Sequence, residues 1–467
     1  MALFTAERNR RISANSAGDL TDFWLAFKVD CMNPTLDPRI GSADARSSAI
    51  PTKVRWQIVG MLMSLCAISH INRASMAVAG TDRIMDQYGI SPVQMGSVYS
   101  AFLVVYSICM IPGGVLIDRA GPRRALMVVG FSSAILGAVT GAVGWAVAAG
   151  ASLIFTLVVV RGTMGALSAP LHPAAARAIG NWFPFSERSF ANGIVTAAAI
   201  CGVAAAYPGF SALIKIVDWQ GAFIICAAVT AVLTFMWMTQ ARDWPAEHPR
   251  VNAAERNLIG VSERNISQNS GWGELLLNPN LLLVTLSYAA VGYFQYLFVY
   301  WMAYYFEKIL HLGADASKYY AGFLQVALAI GMPLGGWLSV KLSARVGVRK
   351  GRGLVSGGGM FASAGLLALG VFAHEPFWIV LFFALAHLAI GAAEGPIWAT
   401  AVDIGASRGG TAAAICNTGG NVGGLIAPVL TPWLALEYGW PAGIGVGAAI
   451  CVLGAFCWFW IHPRAQD

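Results

Sequence analysis

Two arginines lie inside long apolar stretches of the sequence, where a charged residue needs a specific reason to be present. These are Arg73 and Arg161. An arginine at the centre of a membrane helix costs roughly 2.5–3.5 kcal/mol on insertion scales. A guanidinium group suits a carboxylate because its planar fork donates two parallel hydrogen bonds. We therefore expect both side chains to face a central aqueous cavity and to bind an anion. The alternatives are a fixed acidic partner or a position nearer the membrane interface.

One acidic residue also lies inside an apolar stretch, as the two arginines do. Of the 23 acidic residues, Glu394 alone falls well inside an apolar stretch. A carboxyl group there can take up and release a proton, so Glu394 is a candidate for coupling proton movement to solute movement. The alternative is that Glu394 neutralises Arg73 or Arg161. His70, one turn before Arg73, is a second candidate because imidazole titrates near neutral pH.

These residues must be positioned by membrane-spanning helices. The chain has 467 residues, 57% of them hydrophobic and only 11% charged, whereas soluble domains carry roughly a quarter of their residues as charges. Apolar runs of about 20 residues recur, the length that crosses a hydrocarbon core of about 30 Å. The expected fold is all-α and integral to the membrane, with about twelve spans. We place them near 56–80, 94–117, 124–149, 152–177, 190–214, 219–241, 280–306, 318–342, 352–373, 376–402, 409–436 and 441–462.

The net charge of +7 is distributed as a topology signal rather than as a nucleic-acid-binding surface. Basic residues concentrate in the loops after spans two, six and eight, and the opposite loops hold few of them. Cytoplasmic loops of membrane proteins carry such an excess of Lys and Arg. We therefore expect a multi-pass protein of a bacterial-type inner membrane with both termini in the cytoplasm.

The polar stretch between spans six and seven divides the chain into two halves of six spans. PGGVL at 112–116 is echoed by PLGGWL at 333–338, and GALSAP at 165–170 by GAAEGP at 391–396. Parallel repeats of six helices are a known transporter architecture. The expected organisation is a polar tail at 1–52, a first bundle at 53–241, a linker at 242–279 and a second bundle at 280–467. The tail is expected to be disordered; the alternative is a regulatory arm.

Polar side chains in three other spans are candidates for the same cavity. Tyr293 and Tyr296 in span seven are three residues apart, so we expect them to share a face. Asn417 and Asn421 lie one turn apart in span eleven, where a buried amide either joins helices or faces a solute. The eight cysteines show no metal or disulfide spacing. No nucleotide loop or metalloprotease motif is present, so neither an enzyme nor a cofactor is expected.

The segment GVLIDRAGPRR at 114–124 resembles the loop signature that the major facilitator superfamily carries between spans two and three. This resemblance implies a conformational latch at Asp118, Arg119, Arg123 and Arg124. Asp118 can accept charge-assisted hydrogen bonds or cap a nearby helix N-terminus. The second half departs from the pattern, because Val340 stands where the acid would be. A latch there must use Lys341, Arg345 or other groups.

Further segments are similar to the anion:cation symporter family of organic-anion transporters: DWPAEHP at 243–249, NTGGN at 417–421 and the stretch 287–301. The resemblance implies that Arg73 and Arg161 bind substrate, and it adds Tyr106 to the cavity lining. The family's two acids are replaced by Asn72 and Ser168, neither of which can carry a proton. Ser168 is the repeat equivalent of Glu394.

The sequence therefore predicts secondary uptake of a small organic anion with proton symport by alternating access, in a monomer. Uncoupled uniport or efflux is the alternative, and a non-transporting membrane sensor is a third. Sugar acids, small dicarboxylates and aromatic acids all satisfy two arginines and several tyrosines, so the substrate stays open.

Overall fold

The computed structural model describes residues 50–146, 151–260 and 273–462; the predicted disordered tail lies almost wholly outside them. The described chain is helical throughout, as the apolar runs predict. Its main helices are Val54–Ala79, Pro92–Ile108, Met110–Ala120, Pro122–Ala146, Ala151–Ser168, Leu171–Trp182, Arg188–Gln240, Ala253–Ile259, Pro279–Tyr304, Ala314–Val346, Val348–Phe372, Pro376–Gly405, Gly409–Tyr438 and Trp440–Phe456. Shorter helical pieces are Gly80–Ile84, Met85–Tyr88, Pro245–Glu247, Gly273–Leu276, Tyr305–Ile309, Ala406–Arg408 and Cys457–Phe459.

Nine helical stretches of the described chain are long and apolar enough to cross a membrane, and a tenth span is a pair of helices bent by 52° at residue 109. Two of the stretches, Arg188–Gln240 and Pro376–Tyr438, contain 53 and 63 residues. A single crossing needs about 20 residues, so each of them accommodates two. They divide at Asp218 and Ala406, whose φ values of 58° and 48° reverse the chain. The twelve predicted spans result.

Each half has its own apolar core. In the first half, Leu62, Ile179 and Trp237 are buried together, and in the second half Phe294 and Phe383 belong to one larger cluster. Many large apolar side chains are exposed instead on the outside of the bundle. In a soluble protein such a surface marks an interaction site, and here lipid tails cover it.

The linker after span six folds back onto the first half. Asp243 accepts a hydrogen bond from the backbone N–H of Arg123 at 2.8 Å, so it caps the start of span three. Burial raises the pKa of the Asp243 carboxyl, and the Arg123 N–H acts in the opposite direction. Glu255 accepts bonds from the backbone N–H groups of Val54 and Arg55 at 3.3 and 3.2 Å and caps span one. The segment 243–255 thus ties the linker to the helix starts.

The described part of the first half includes residues 50–52, which the sequence analysis assigned to the tail. Asn252 of the linker donates to the backbone carbonyl of Ile50 at 2.9 Å, and its backbone N–H donates to the Thr52 hydroxyl at 3.2 Å. Residues 50–52 therefore pack with the linker.

The two halves approach closely at two repeat-related glycines. A Cβ added to Gly114 in span two would lie 2.6 Å from the Cβ of Ala414 in span eleven. A Cβ added to Gly336 in span eight would lie 2.6 Å from the carbonyl oxygen of Ser189 in span five. We call the contact of spans two and eleven the first seam, and that of spans five and eight the second seam. Both lie toward the end that carries the arginine-rich loops, here called the basic end.

Candidate functional site

Arg161 is held against the main chain of span one. Its guanidinium donates to the backbone carbonyls of Asn72 and Arg73 at 3.4 and 3.3 Å, and its side chain is only 2% exposed. The Nε of Arg161 is buried without a hydrogen-bond partner among the described residues. Main-chain carbonyls orient the fork but do not neutralise it, so a donor is left for a further acceptor.

Arg73 reaches from the first half toward the second. Its Nη2 lies 3.4 Å from the hydroxyl of Tyr296 in span seven, and its guanidinium carbon lies 5.3 Å from the ring centre of Phe102 and 5.7 Å from that of Tyr106. The Arg161 guanidinium lies 5.4 Å from the same Phe102 ring. Aromatic faces attract cations, but a ring carries no net charge. Two cations therefore share one aromatic ring of span two, and Arg73 also contacts the second half.

Neither arginine pairs with an acid among the described residues. The ion pairs found there involve other side chains. The alternative of a fixed acidic partner, which the sequence left open, is therefore not seen in this part of the chain.

Asn417 lies at the same interface. Its amide donates toward the Tyr106 hydroxyl at 3.4 Å and the Met110 sulfur at 3.4 Å, so span eleven contacts span two across the halves. The Nδ2 of Asn421, one turn further along, is buried without a partner in the described chain. Of these second-half groups, Tyr296 contacts Arg73 directly, and Asn417 contacts Tyr106, whose ring lies beside Arg73.

Two of the predicted lining residues lie elsewhere. Asn72 donates its amide to the Thr230 hydroxyl at 2.8 Å, which joins spans one and six inside the first half. The Tyr293 hydroxyl lies 2.9 Å from that of Thr431, inside the second half. A spacing of three residues leaves two side chains about 60° apart on a helix, and here Tyr296 reaches the interface while Tyr293 reaches the bundle interior. Ser168 is buried at the break in span four.

Glu394 is bound by hydrogen-bond donors rather than by a cation. Gln295 donates to one carboxylate oxygen at 2.6 Å, and the indole N–H of Trp398 donates to the other at 3.1 Å. Tyr288 is also hydrogen-bonded to this carboxyl group. Gln295 directly precedes Tyr296, the partner of Arg73, so consecutive residues of span seven contact the acid and the arginine. The alternative that Glu394 pairs with an arginine is not what the geometry shows.

A pair of histidines in the first half, His70 and His172, contacts Trp398 of the second half. The Nδ1–H of His70 donates to the Cys66 carbonyl at 2.9 Å, because a carbonyl only accepts. The Nε2 of His70 is then an acceptor, 3.4 Å from the Nε2 of His172. The His172 ring stacks at 5.8 Å on Trp398, which binds Glu394. Sequence reasoning missed Trp398, although its position four residues after Glu394 places both on one helix face.

At the first seam, Asp118 caps the start of span eleven across the halves. Its two oxygens accept the backbone N–H groups of Gly410 and Thr411, each at 2.8 Å, and the Thr411 hydroxyl at 2.5 Å. Arg177 donates to the carbonyls of Ala406 and Ser407 beside it. Carboxylates are stabilised by the free N–H groups and the dipole of a helix N-terminus.

The three arginines predicted with Asp118 serve other contacts. Arg123 donates to the Met238 carbonyl at 2.5 Å within the first half. Arg119 and Arg124 line a groove of 410 Å³ between Asp118 and Asp243.

The second seam has a different chemistry. Asp403 at the end of span ten binds Arg188 at the start of span five, and it accepts from Arg352 of span nine at 2.7 Å. Arg352 also donates to the Phe185 carbonyl of the first half at 3.0 Å. Among the described ion pairs, those of Asp403 are made with Arg188 and Arg352 rather than with Lys341 or Arg345, which the sequence analysis considered.

This arrangement defines a class of protein: two repeat-related bundles of six spans with a polar, doubly cationic interface at their centre. Comparison with known proteins assigns the class. Residues 62–415 match the family model of the Major Facilitator Superfamily. The chain belongs to this superfamily of membrane transporters, which confirms the predicted fold.

Individual relatives are transporters of small acids. The chain is 29% identical over 417 residues to a probable sulfoacetate transporter of Cupriavidus necator, covering 88% of this chain and 94% of the relative. It is 27% identical over 436 residues to the D-galactonate transporter of Escherichia coli O6:H1, covering 88% and 96%. A probable galactarate/D-glucarate transporter of Escherichia coli K12 is 28% identical, covering 86% and 92%.

Among solved structures, the transporter FucP in its outward conformation superposes with a TM-score of 0.70 at 15% identity, covering 88% of this chain and all of FucP. The proton:xylose symporter XylE gives the same TM-score at 15% identity, covering 88% and 96%. At this identity the likeness concerns the fold alone.

Proposed function

We propose that this protein takes up a small organic anion by alternating access, with Arg73 and Arg161 as the anion-binding groups and a proton as the coupling ion. The observation that carries the proposal is a pair of guanidinium groups that share the Phe102 ring, one of which reaches the second half, with no acidic partner among the described residues. Buried charges are paired or functional, because an unpaired one is costly. The organic acids named for the relatives support an anion as the missing partner.

In the proposed orientation the basic end faces the cytoplasm of a bacterial-type inner membrane. The excess of Lys and Arg in the loops at that end supports this orientation. Both seams are closed there, so the state described corresponds to the half-cycle in which the cytoplasmic side is sealed. Substrate binding between the halves then lets them rock, which breaks the seams at the basic end.

Glu394 is the proposed coupling acid, and the His70–His172 pair is a second titratable group on the same path. The geometry supports this role because Glu394 is held only by neutral donors, so it can change its charge without breaking an ion pair. Gln295, which binds Glu394, and Tyr296, which binds Arg73, are consecutive residues of span seven, and this adjacency supports coupling between the two sites.

The anion-binding part is tested by uptake into proteoliposomes. A charged hydrogen bond contributes about 1.5–3 kcal/mol, so Arg73→Gln or Arg161→Gln should lower kcat/KM by roughly 10- to 150-fold. Tyr296→Phe should raise KM severalfold, whereas the matched control Tyr293→Phe should leave KM unchanged, because that hydroxyl bonds Thr431. Wild-type uptake of neutral sugars but of no organic acid would overturn the proposal.

The coupling part is tested separately by an imposed pH gradient. Glu394→Gln should abolish accumulation against a substrate gradient while downhill flux persists. Retention of pH-driven accumulation by Glu394→Gln would exclude Glu394 as the coupling acid. Uncoupled uniport or efflux is the competing function, favoured by the replacement of both family acids with Asn72 and Ser168. This competing function predicts that a protonophore leaves the steady-state accumulation of substrate by the wild-type protein unchanged.

A further inference from the structure

The central interface carries an unusual excess of positive charge. Inside the described spans, away from their ends, the charged residues are Arg73 and Arg161 of the first half and Glu394 of the second, so the first half contributes two cations and no acid. Building on the proposed function, we infer that the preferred substrate is a dianion, and that its binding and a proton on Glu394 favour each other.

The two cations lie close together. Both guanidinium groups lie over the ring of Phe102, at 5.3 and 5.4 Å from its centre. Arg161 also donates to the carbonyl of Arg73 itself. Two like charges over one ring raise the positive potential at each other, and the low local dielectric strengthens that effect. A ligand with two acidic groups relieves both charges at once.

Charge counting then links the proton to the ligand. With Glu394 protonated, the interface has a charge of +2, and a dianion makes the occupied site neutral. A monoanion leaves one unit of charge uncompensated when the halves close around it, which is expensive in a medium of low dielectric. With Glu394 ionised, a dianion instead leaves the site negative. The dianion and the proton therefore belong to the same state.

In these surroundings, Glu394 is the acid whose protonation changes the net charge of the interface. Tyr288 and the neutral Gln295 of span seven face Glu394, and so does Cys416 of span eleven. His172 of span four stacks on Trp398, which binds Glu394. Span one adds His70 and Arg73 beyond these, and His387 lies on the same helix inside the second bundle. Three further charged residues, from spans five, eight and nine, lie toward the basic end: Arg188, Lys341 and Arg352.

The thermodynamic linkage between proton binding and ligand binding gives the size of the expected pH effect. Because the repulsion between ionised Glu394 and a bound anion scales with the ligand's charge, the free energy that couples proton and ligand is about twice as large for a dianion as for a monoanion. The ratio of Kd values at high and low pH for a dianion should then be about the square of that for a monoanion of the same skeleton.

The experiment measures Kd by calorimetry on the purified protein in lipid nanodiscs between about pH 5 and pH 8, the range in which imidazole titrates. Two matched pairs serve as probes: galactarate with galactonate, and sulfoacetate with 2-hydroxyethanesulfonate. In each pair one acidic group is exchanged for a primary alcohol. For whichever skeleton binds, we expect the dianion to bind about tenfold or more tightly at low pH and to show the steeper pH dependence.

Two variants separate the contributions. Glu394→Gln should keep the preference for the dianion and flatten its pH dependence. Arg161→Gln removes one positive charge and should erase or invert the preference, which keeps the test decisive if the Glu394 variant does not fold. Equal affinities and equal pH ratios for the members of a pair would overturn the inference while leaving organic-anion uptake intact. Binding of neutral sugars alone would instead overturn the proposed function.

Discussion

The two seams at the basic end occupy repeat-related positions but are closed by different chemistry. Each brings a glycine of one half against a helix start of the other, Gly114 against span eleven and Gly336 against span five. At the first seam Asp118 binds backbone N–H groups of the facing helix. At the second seam Val340 replaces that acid, and Asp403 with Arg188 and Arg352 supplies the contact.

The difference shows which part of the repeat is shared. The close approach of the backbones is present in both halves because it depends on small residues, which both copies of the motif retain. The charged groups that stabilise the contact differ between the two seams. A carboxylate at a helix start needs no cationic side chain, since the helix N-terminus supplies donors and a partial positive charge. Asp403 instead needs two arginines, which makes the second seam a three-membered buried network.

Breaking that network should have the largest effect. Asp403→Asn leaves Arg352, which is 1% exposed, without its counter-charge. Removing one partner of a buried ion pair destabilises by about 3–5 kcal/mol. We expect a marked fall in the melting temperature of the detergent-solubilised protein. The double variant Arg352→Met with Asp403→Leu should recover part of the loss, because it removes the unpaired cation. An unchanged melting temperature in Asp403→Asn would contradict the role of the network.

Weakening the first seam should act on the conformational equilibrium more than on stability. Asp118→Asn keeps one acceptor oxygen but loses the charge, and a charge-assisted hydrogen bond contributes about 1.5–3 kcal/mol. The basic end should open more often, by roughly 10- to 150-fold, as measured by thiol labelling of single cysteines placed along spans two and eleven. Transport should fall because the closed state is part of the cycle.

The control for Asp118 is Asp243→Asn. Asp243 accepts from the start of span three at 2.8 Å, so it has the same chemistry as Asp118 but acts within one half. We expect this control to lower stability without changing cysteine labelling. Equal labelling changes in both variants would mean that the cap at span eleven does not hold the halves together.

The seams also show what the sequence could and could not predict. The apolar runs set the helices, and the internal repeat predicted that 112–116 and 333–338 occupy equivalent places. Asp118 could be proposed as a helix cap because the segment 114–124 resembles the superfamily's loop signature and a carboxylate can cap a helix N-terminus. Asp403 could not be linked to Arg188 or Arg352, because these residues come from three spans and only packing brings them together. A charge near a helix end is ordinarily assumed to be solvated.

The central interface follows the same rule. Arg73, Arg161 and Glu394 stood out because each is a charge in an apolar run. Their partners did not, since Gln295, Trp398 and Phe102 are ordinary residues of membrane helices. The tyrosines of span seven show the limit most clearly. A spacing of three leaves two side chains about 60° apart on a helix, enough to send Tyr296 to the interface and Tyr293 to Thr431.

The smallest effect should come from Arg177, whose guanidinium donates to the carbonyls of Ala406 and Ser407 at the turn before span eleven. These bonds also have one charged partner, but the carbonyls are exposed, so water can replace the guanidinium and the net contribution is smaller than that of the Asp118 bonds. Arg177→Gln should therefore open the basic end by less than Asp118→Asn in the same labelling assay, with near-normal melting. If Arg177→Gln had the larger effect, the first seam would depend on its arginine, as the second does, and the contrast between the seams would fail.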